Sequence, residues 1–277
     1  MTLETDRLSA ELLDELASNE RRLPDPASMP IRFHNLHAMA QSALHCLYSF
    51  ADSRTQSLPI RIGAGTHAMT FGQPVTMWPG KVRNGKVWDA FKSEHFDKVI
   101  LNRKEWAQAE AISNALRSHR EASMLLFGDG VVHEQTIEWE QLGRSRRSTP
   151  DVRHKHYIAE LKSTRCAQPD RFVRDATFRA YNAQLADQMN AAEYLTGHRP
   201  EKAYIVAVES VPPHAVTVLE LTERAIERGD RLCRLWLEQL LSCERSGSWP
   251  GYCESISSFD IPDDDVELVF AADGDEP

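Results

Sequence analysis

The chain has little cysteine, no long apolar run and no excess of positive charge, and each shortage removes a class of protein. Its five cysteines (Cys46, Cys166, Cys233, Cys243 and Cys253) are odd in number and contain no Cys-x-x-Cys pair. That excludes a disulfide framework and a zinc site built from thiolates, and points to free thiols in a reducing compartment. No apolar run approaches the roughly 20 residues that cross a bilayer, so no membrane role is expected. Residues 1–22 show neither an apolar signal core nor a basic leader, which predicts a cytoplasmic protein. With 42% hydrophobic and 26% charged residues over 277 positions, the composition also excludes collagen, a coiled-coil rod and a disordered chain.

The net charge of −9 argues at first against a nucleic-acid partner. The charge is unevenly spread, however. Residues 1–20 sum to −5 and residues 260–277 to −8, while residues 81–165 sum to +4. The acidity lies at the ends and the middle is mildly basic.

The periodicities predict an α/β domain with a helical N-terminal part. Helical spacing appears over 3–18, 33–50, 103–119, 171–195 and 223–243, and a further helix opens within 60–69. Extended segments are expected over 74–88, with a turn at Asn84-Gly85. Strands are expected over 131–139, near Val152, and over 157–162, 203–208 and 216–221. Residues 144–149 read as a basic turn. The pattern divides the chain into an acidic N-terminal segment (1–30), a main domain (31–245) and an acidic tail (246–277). Gly63-x-Gly65 lacks the third glycine and the preceding strand of a dinucleotide fingerprint. His34 and His37 find no acid to complete a zinc site, and on a continuous helix His45 would lie about 12 Å beyond His37.

One stretch carries chemistry: Pro150-Asp151 followed by Glu160-Leu161-Lys162. Alternation along a strand places Ile158, Glu160 and Lys162 on one face and Tyr157, Ala159 and Leu161 on the other. A hairpin from Val152 to Tyr157 would carry Asp151 back towards Glu160. Two carboxylates converging with a lysine are what a divalent-metal phosphodiesterase requires. The acids offer hard oxygen ligands to Mg²⁺, and the metal and lysine offset charge on the scissile phosphate.

These residues resemble the PD-(D/E)XK nuclease core. Over about residues 30–245 the chain is similar to RecE-like (exodeoxyribonuclease VIII-type) phage and prophage exonucleases, relatives of the RecB-like nucleases. Gly63 to His67 looks like the family's Gly-x-x-x-His element. Arg83-Asn-Gly85-Lys86 with Trp88 and Phe91, and the 133–139 segment with Glu134, look like the stretches that precede the core. Tyr181-Asn-Ala-Gln184 looks like the following helix, where the family carries Gln-x-x-x-Tyr; here Gln188 stands in place of that tyrosine.

The resemblance implies a restriction-endonuclease-like core, a central mixed sheet flanked by helices. It implies catalytic roles for Glu134, Asp151, Glu160, Lys162 and Gln184, with His67, Asp151 and Glu160 holding Mg²⁺ or Mn²⁺. It implies 5′-to-3′ digestion from double-stranded DNA ends, leaving 3′ overhangs for a single-strand annealing recombination protein, and a homo-oligomer. Arg83, Lys86, Arg144, Arg146, Arg147, Arg153, Arg165 and Gln188 are the expected DNA-binding residues. A structure-specific RecB-like endonuclease and a catalytically weak DNA-binding scaffold are the alternatives.

Overall fold

The computed structural model describes residues 25–51, 57–253 and 255–258. The predicted helix over 3–18 and the acidic stretch over 260–277 lie outside the described residues.

Two short helices, α1 (Phe33–Met39) and α2 (Ala43–Ser49), lead into α3 (Leu58–Phe71), β1 (Val75–Met77), α4 (Gly85–Glu94) and β2 (Val99–Leu101). Helices α5 (Arg103–Ser118) and α6 (Arg120–Phe127) follow. Strands β3 (Val132–His133), β4 (Ile137–Gln141), β5 (Arg144–Ser148), β6 (Val152–Arg153) and β7 (Tyr157–Thr164) then run in succession. Helices α7 (Pro169–Phe178) and α8 (Tyr181–Thr196), strands β8 (Lys202–Glu209) and β9 (Val216–Glu220), and helix α9 (Glu223–Ser246) complete the order.

The central sheet has the order β3-β6-β7-β8-β9. Only β7 and β8 run parallel; the other neighbours are antiparallel. Strand β7 lies in the middle and is covered on both faces. Ala159 and Leu161 pack with Ile62 of α3, Ile112 and Leu116 of α5 and Leu126 of α6. On the opposite face Ile158 joins Phe172 of α7 and Leu185 and Met189 of α8. This is the mixed sheet flanked by helices that the sequence led us to expect. A third cluster, with Ile31, Leu36, Trp236, Leu237 and Leu240, seats α1 and α2 on α9.

Several predicted elements divide where the backbone turns left-handed. The segment 131–139 is two strands in different sheets, because Glu134 sits at φ 48° between them. The helical span 171–195 breaks at Ala180, φ 52°. The span 33–50 breaks where Ser42 caps α2, its side chain accepting from the His45 amide. Residues 144–149 are no turn but strand β5, paired with β4 across a Leu142-Gly143 turn with both φ values positive. Its inward residues are polar, Arg146 and Ser148, which hides it from a hydrophobic pattern. The 74–88 stretch is extended only at β1. From Gly85 it is helical, with Trp88 and Phe91 one turn apart and packed on Trp78.

Candidate active site

The β6–β7 hairpin does what its spacing predicts. Val152 pairs with Ala159, so Asp151 comes to lie beside Glu160, and its Oδ2 accepts a hydrogen bond from the Leu161 amide at 2.7 Å. Strand β3 enters on the other edge of β6, and the Glu134 amide donates to the Asp151 carbonyl at 3.1 Å. Helix α3 delivers His67 from one face of the sheet. Gly65 lets it approach: a Cβ there would stand 2.7 Å from a Leu101 methyl of β2. His67 Nδ1 lies 3.6 Å from Asp151 Oδ1 and 3.7 Å from Glu134 Oε1. Gln73, just past α3, donates to the other Glu134 oxygen.

Helix α8 closes the opposite side. Glu160 Oε1 accepts from Lys162 Nζ at 2.7 Å and from Gln184 Nε2 at 2.6 Å, and Oε2 accepts from Gln188 Nε2 at 2.8 Å. Lys162 also donates to Gln184 Oε1 at 3.1 Å, and its ammonium stands 4.7 Å from the centre of the Tyr181 ring.

Three acids crowd one imidazole and one ammonium, and the protonation of Asp151, His67, Glu160 and Lys162 shows it. Burial and the neighbouring Glu160 charge push the Asp151 carboxyl up to about 7. His67 loses by burial but gains more from Asp151 and Glu134, and is raised to about 9. Glu160 is raised by burial and lowered further by Lys162, Gln188 and His67, and ends below the usual carboxylate range. Lys162, opposed by burial, is raised by Glu160 and Asp151 and stays an ammonium. Such a site is short of positive charge.

His67, Glu134 and Asp151 could hold a metal ion: one donor atom from each lies within 4.8 Å of the others. Two carboxylate oxygens and an imidazole suit a hard or borderline divalent cation. Glu160 lies outside that cluster, its oxygens occupied by Lys162 and the two glutamines.

Comparison with known proteins identifies the family and the fold. Residues 36–262 match the family described as PDDEXK-like domain of unknown function (DUF3799). The chain belongs to that family. No curated protein sequence matches it. Among solved structures, a Eubacterium rectale protein provisionally named an exonuclease superposes with a TM-score of 0.62 at 12% identity, over 92% of this chain and 98% of that one. A phage-related exonuclease from Haemophilus somnus 129PT aligns with a TM-score of 0.32 at 11% identity, over 64% and 94% of the two chains. The alkaline exonuclease of Laribacter hongkongensis aligns with a TM-score of 0.29 at 14% identity, over 69% and 95%.

Several arginines expected to bind DNA serve this PDDEXK-like domain internally. Arg146 is fully buried, paired with Asp187 of α8 and lying over the Trp139 ring. Arg144 binds Glu244 at 3.0 Å and the Pro26 carbonyl at 2.6 Å. Arg83 pairs with the buried Glu105 at 2.5 Å. Gln188 is 3% exposed and holds Glu160, so it positions a carboxylate from inside the protein. Each corrects the reading of these side chains as a DNA-facing surface, because the guanidinium or amide is already consumed by an internal partner. Arg147 pairs with Glu138 across the hairpin, and Arg153 donates to Gln135 at 2.6 Å. Lys86 and Arg165 are exposed.

A cleft of about 540 Å³ opens beside Lys162, Gln184 and Gln188, lined also by Arg32, His34 and Arg147. Sequence reasoning missed Arg32 and Gln73 here. Neither sits in a motif, and Gln73 meets Glu134 across 61 residues of chain.

Proposed function

We propose that the protein is a divalent-metal-dependent exonuclease that hydrolyses phosphodiester bonds at the ends of linear duplex DNA. The observation that carries this reading is the meeting of His67, Glu134 and Asp151 at one point beside the Glu160–Lys162 pair. Membership of a PDDEXK-like family and the name of the Eubacterium rectale relative are consistent with it. By resemblance to RecE-like enzymes the digestion runs 5′ to 3′, leaves 3′ overhangs for a single-strand annealing recombination partner, and is carried out by a homo-oligomer. The working unit in this reading is residues 31–245, with acidic extensions on either side.

His67, Glu134 and Asp151 would hold Mg²⁺ or Mn²⁺. When bound, the ion supplies Lewis-acid polarisation of the scissile phosphate and neutralises its developing charge. The protein does the rest. Lys162, kept protonated by its contact with Glu160, presents N–H donors to a non-bridging phosphate oxygen. Glu160 holds that ammonium in place, and Gln184 and Gln188 hold Glu160. The cleft beside Lys162 gives a strand access to the pair.

The test is digestion of linear duplex DNA labelled at either 5′ end, with Mg²⁺ or with EDTA, beside a closed circle of the same sequence. We expect metal-dependent release of nucleotides from the ends, with the circle spared. Lys162→Ala should slow release by about 10²–10³-fold while DNA binding persists. Binding without cleavage by the unaltered protein would overturn the enzymatic reading.

A further inference from the structure

A second cleft, of about 700 Å³, opens where β7 runs on past Lys162 through Ser163 and Thr164. Arg165 from the loop after β7, Arg171 of α7 and Arg179 at the C-cap of α7 all line it, and all three are exposed. None of the three guanidiniums forms an ion pair or hydrogen bond with a described residue. Asp175 is the one acid among the lining residues. In a chain of net charge −9, three arginines without a described partner gather in one cleft against that single acid, which lies one turn from Arg171 and from Arg179. Their arrangement suits an anionic partner.

The same cleft is also lined by Leu58 and Ile60 at the start of α3, which are 51% and 47% exposed. Tyr181 lines it too, and the Lys162 ammonium stands 4.7 Å from the centre of that ring. Lys162 itself lines the 540 Å³ cleft, so the Tyr181 ring stands between this second cleft and the candidate catalytic lysine. The second cleft combines cations with exposed apolar side chains. A duplex turns its phosphates outward and keeps its base faces stacked inside, so it would use only the cations. A single strand offers both phosphates and unstacked base faces.

We propose that this cleft holds a single-stranded stretch of DNA next to the site of hydrolysis. Its phosphates lie on Arg165, Arg171 and Arg179, and base faces lie against Leu58 and Ile60. That the strand is substrate or product of Lys162 rests on the nuclease reading; that the cleft binds a single strand does not.

The two can be separated. The probe is a fluorescein-labelled twelve-residue oligothymidylate, titrated with the full chain by fluorescence anisotropy in Ca²⁺ buffer. The double reversal R171E/R179E should raise Kd at least tenfold at low salt. It should also flatten the slope of log Kd against log salt by about 1.4, at about 0.7 per lost single-strand phosphate contact. The control R224E/R228E, on exposed arginines of α9, should leave Kd within twofold. Thermal melts confirm folding of each variant.

The proposal is overturned if the unaltered protein does not bind the oligomer. It is overturned equally if R171E/R179E stays within twofold, if the α9 control loses as much, or if a blunt duplex of the same length binds tighter. A protein that binds the strand through these arginines but digests no DNA in Mg²⁺ removes the nuclease reading and leaves the cleft. Intact digestion with strand binding indifferent to R171E/R179E does the reverse.

Discussion

Glu160 has more donors than any other acid at the site: an ammonium and a side-chain amide on one oxygen and a second amide on the other. A carboxylate so held cannot rotate away, and Lys162 is fixed with it. Gln184 and Gln188, one turn apart on α8, therefore act on Glu160 as a pair of clips. Removing Gln188 leaves the buried Oε2 without its donor and loosens the lysine. We expect Gln188→Ala to lower kcat by about 10–100-fold, the usual cost of losing a partner that orients a site carboxylate, with KM for DNA little changed. Gln188→Glu should be worse than Gln188→Ala, since it sets a second acid against Glu160. A rise in KM with kcat unchanged would return Gln188 to a role in holding DNA. The position of Glu160, Lys162 and Asp151 was legible from strand parity and hairpin spacing alone. The inward turn of Gln188 was not, because a glutamine on a helix carries no mark of burial. Only the acid facing it explains it.

Elements are tied together by buried charge as well as by apolar packing. Glu105 is 2% exposed and sits in the first turn of α5. It accepts from the Asn102 amide at 2.9 Å, from Arg61 of α3 at 2.8 Å and from Arg83 at 2.5 Å. It thus caps α5 and clamps it to the helix that carries His67. Burial pushes its carboxyl up, but the Asn102 amide and the two guanidiniums outweigh burial and hold it below the usual 4.5. A carboxylate lowered by folding stabilises the fold fully above its unfolded value, and that stabilisation is lost as pH falls through the lower folded value. Glu105→Gln should cost about 3 kcal/mol at neutral pH, as breaking one side of a buried ion pair does. The gap between the two proteins in urea unfolding should stay constant above about pH 5, near the unfolded carboxylate range, and narrow below it. A gap independent of pH would show that the loss is one of packing and not of charge. The same logic explains the misread β5. Its interior is made of Arg146 matched to Asp187 on α8, a pairing across 41 residues that no local pattern announces. The long helices α5 and α9 and the central strands, by contrast, follow their apolar periodicity closely, because there burial alone decides the face.

At the scale of the whole molecule, the charge that looked hostile to DNA is better understood by asking which cations are free. The middle of the chain is basic by sequence, but Arg83, Arg144, Arg146 and Arg147 are matched to Glu105, Glu244, Asp187 and Glu138. Near the site, the exposed cations without a described acidic partner that line the two clefts are Arg32, Arg165, Arg171 and Arg179. A footprint of that size releases few counterions. At about 0.9 per neutralised duplex phosphate, three or four contacts give a slope of log Kobs against log salt of about −3 to −4. A broadly basic protein with ten contacts would give about −9 by the same rule. Binding of a short linear duplex between 50 and 300 mM salt, in Ca²⁺ buffer, measures this directly. EDTA should weaken that binding further, because it removes the positive charge that a divalent cation held by His67, Glu134 and Asp151 would place before the approaching phosphate. A slope steeper than about −6, or tighter binding in EDTA, would mean that DNA is held by a surface other than these few arginines and the acidic centre beside them.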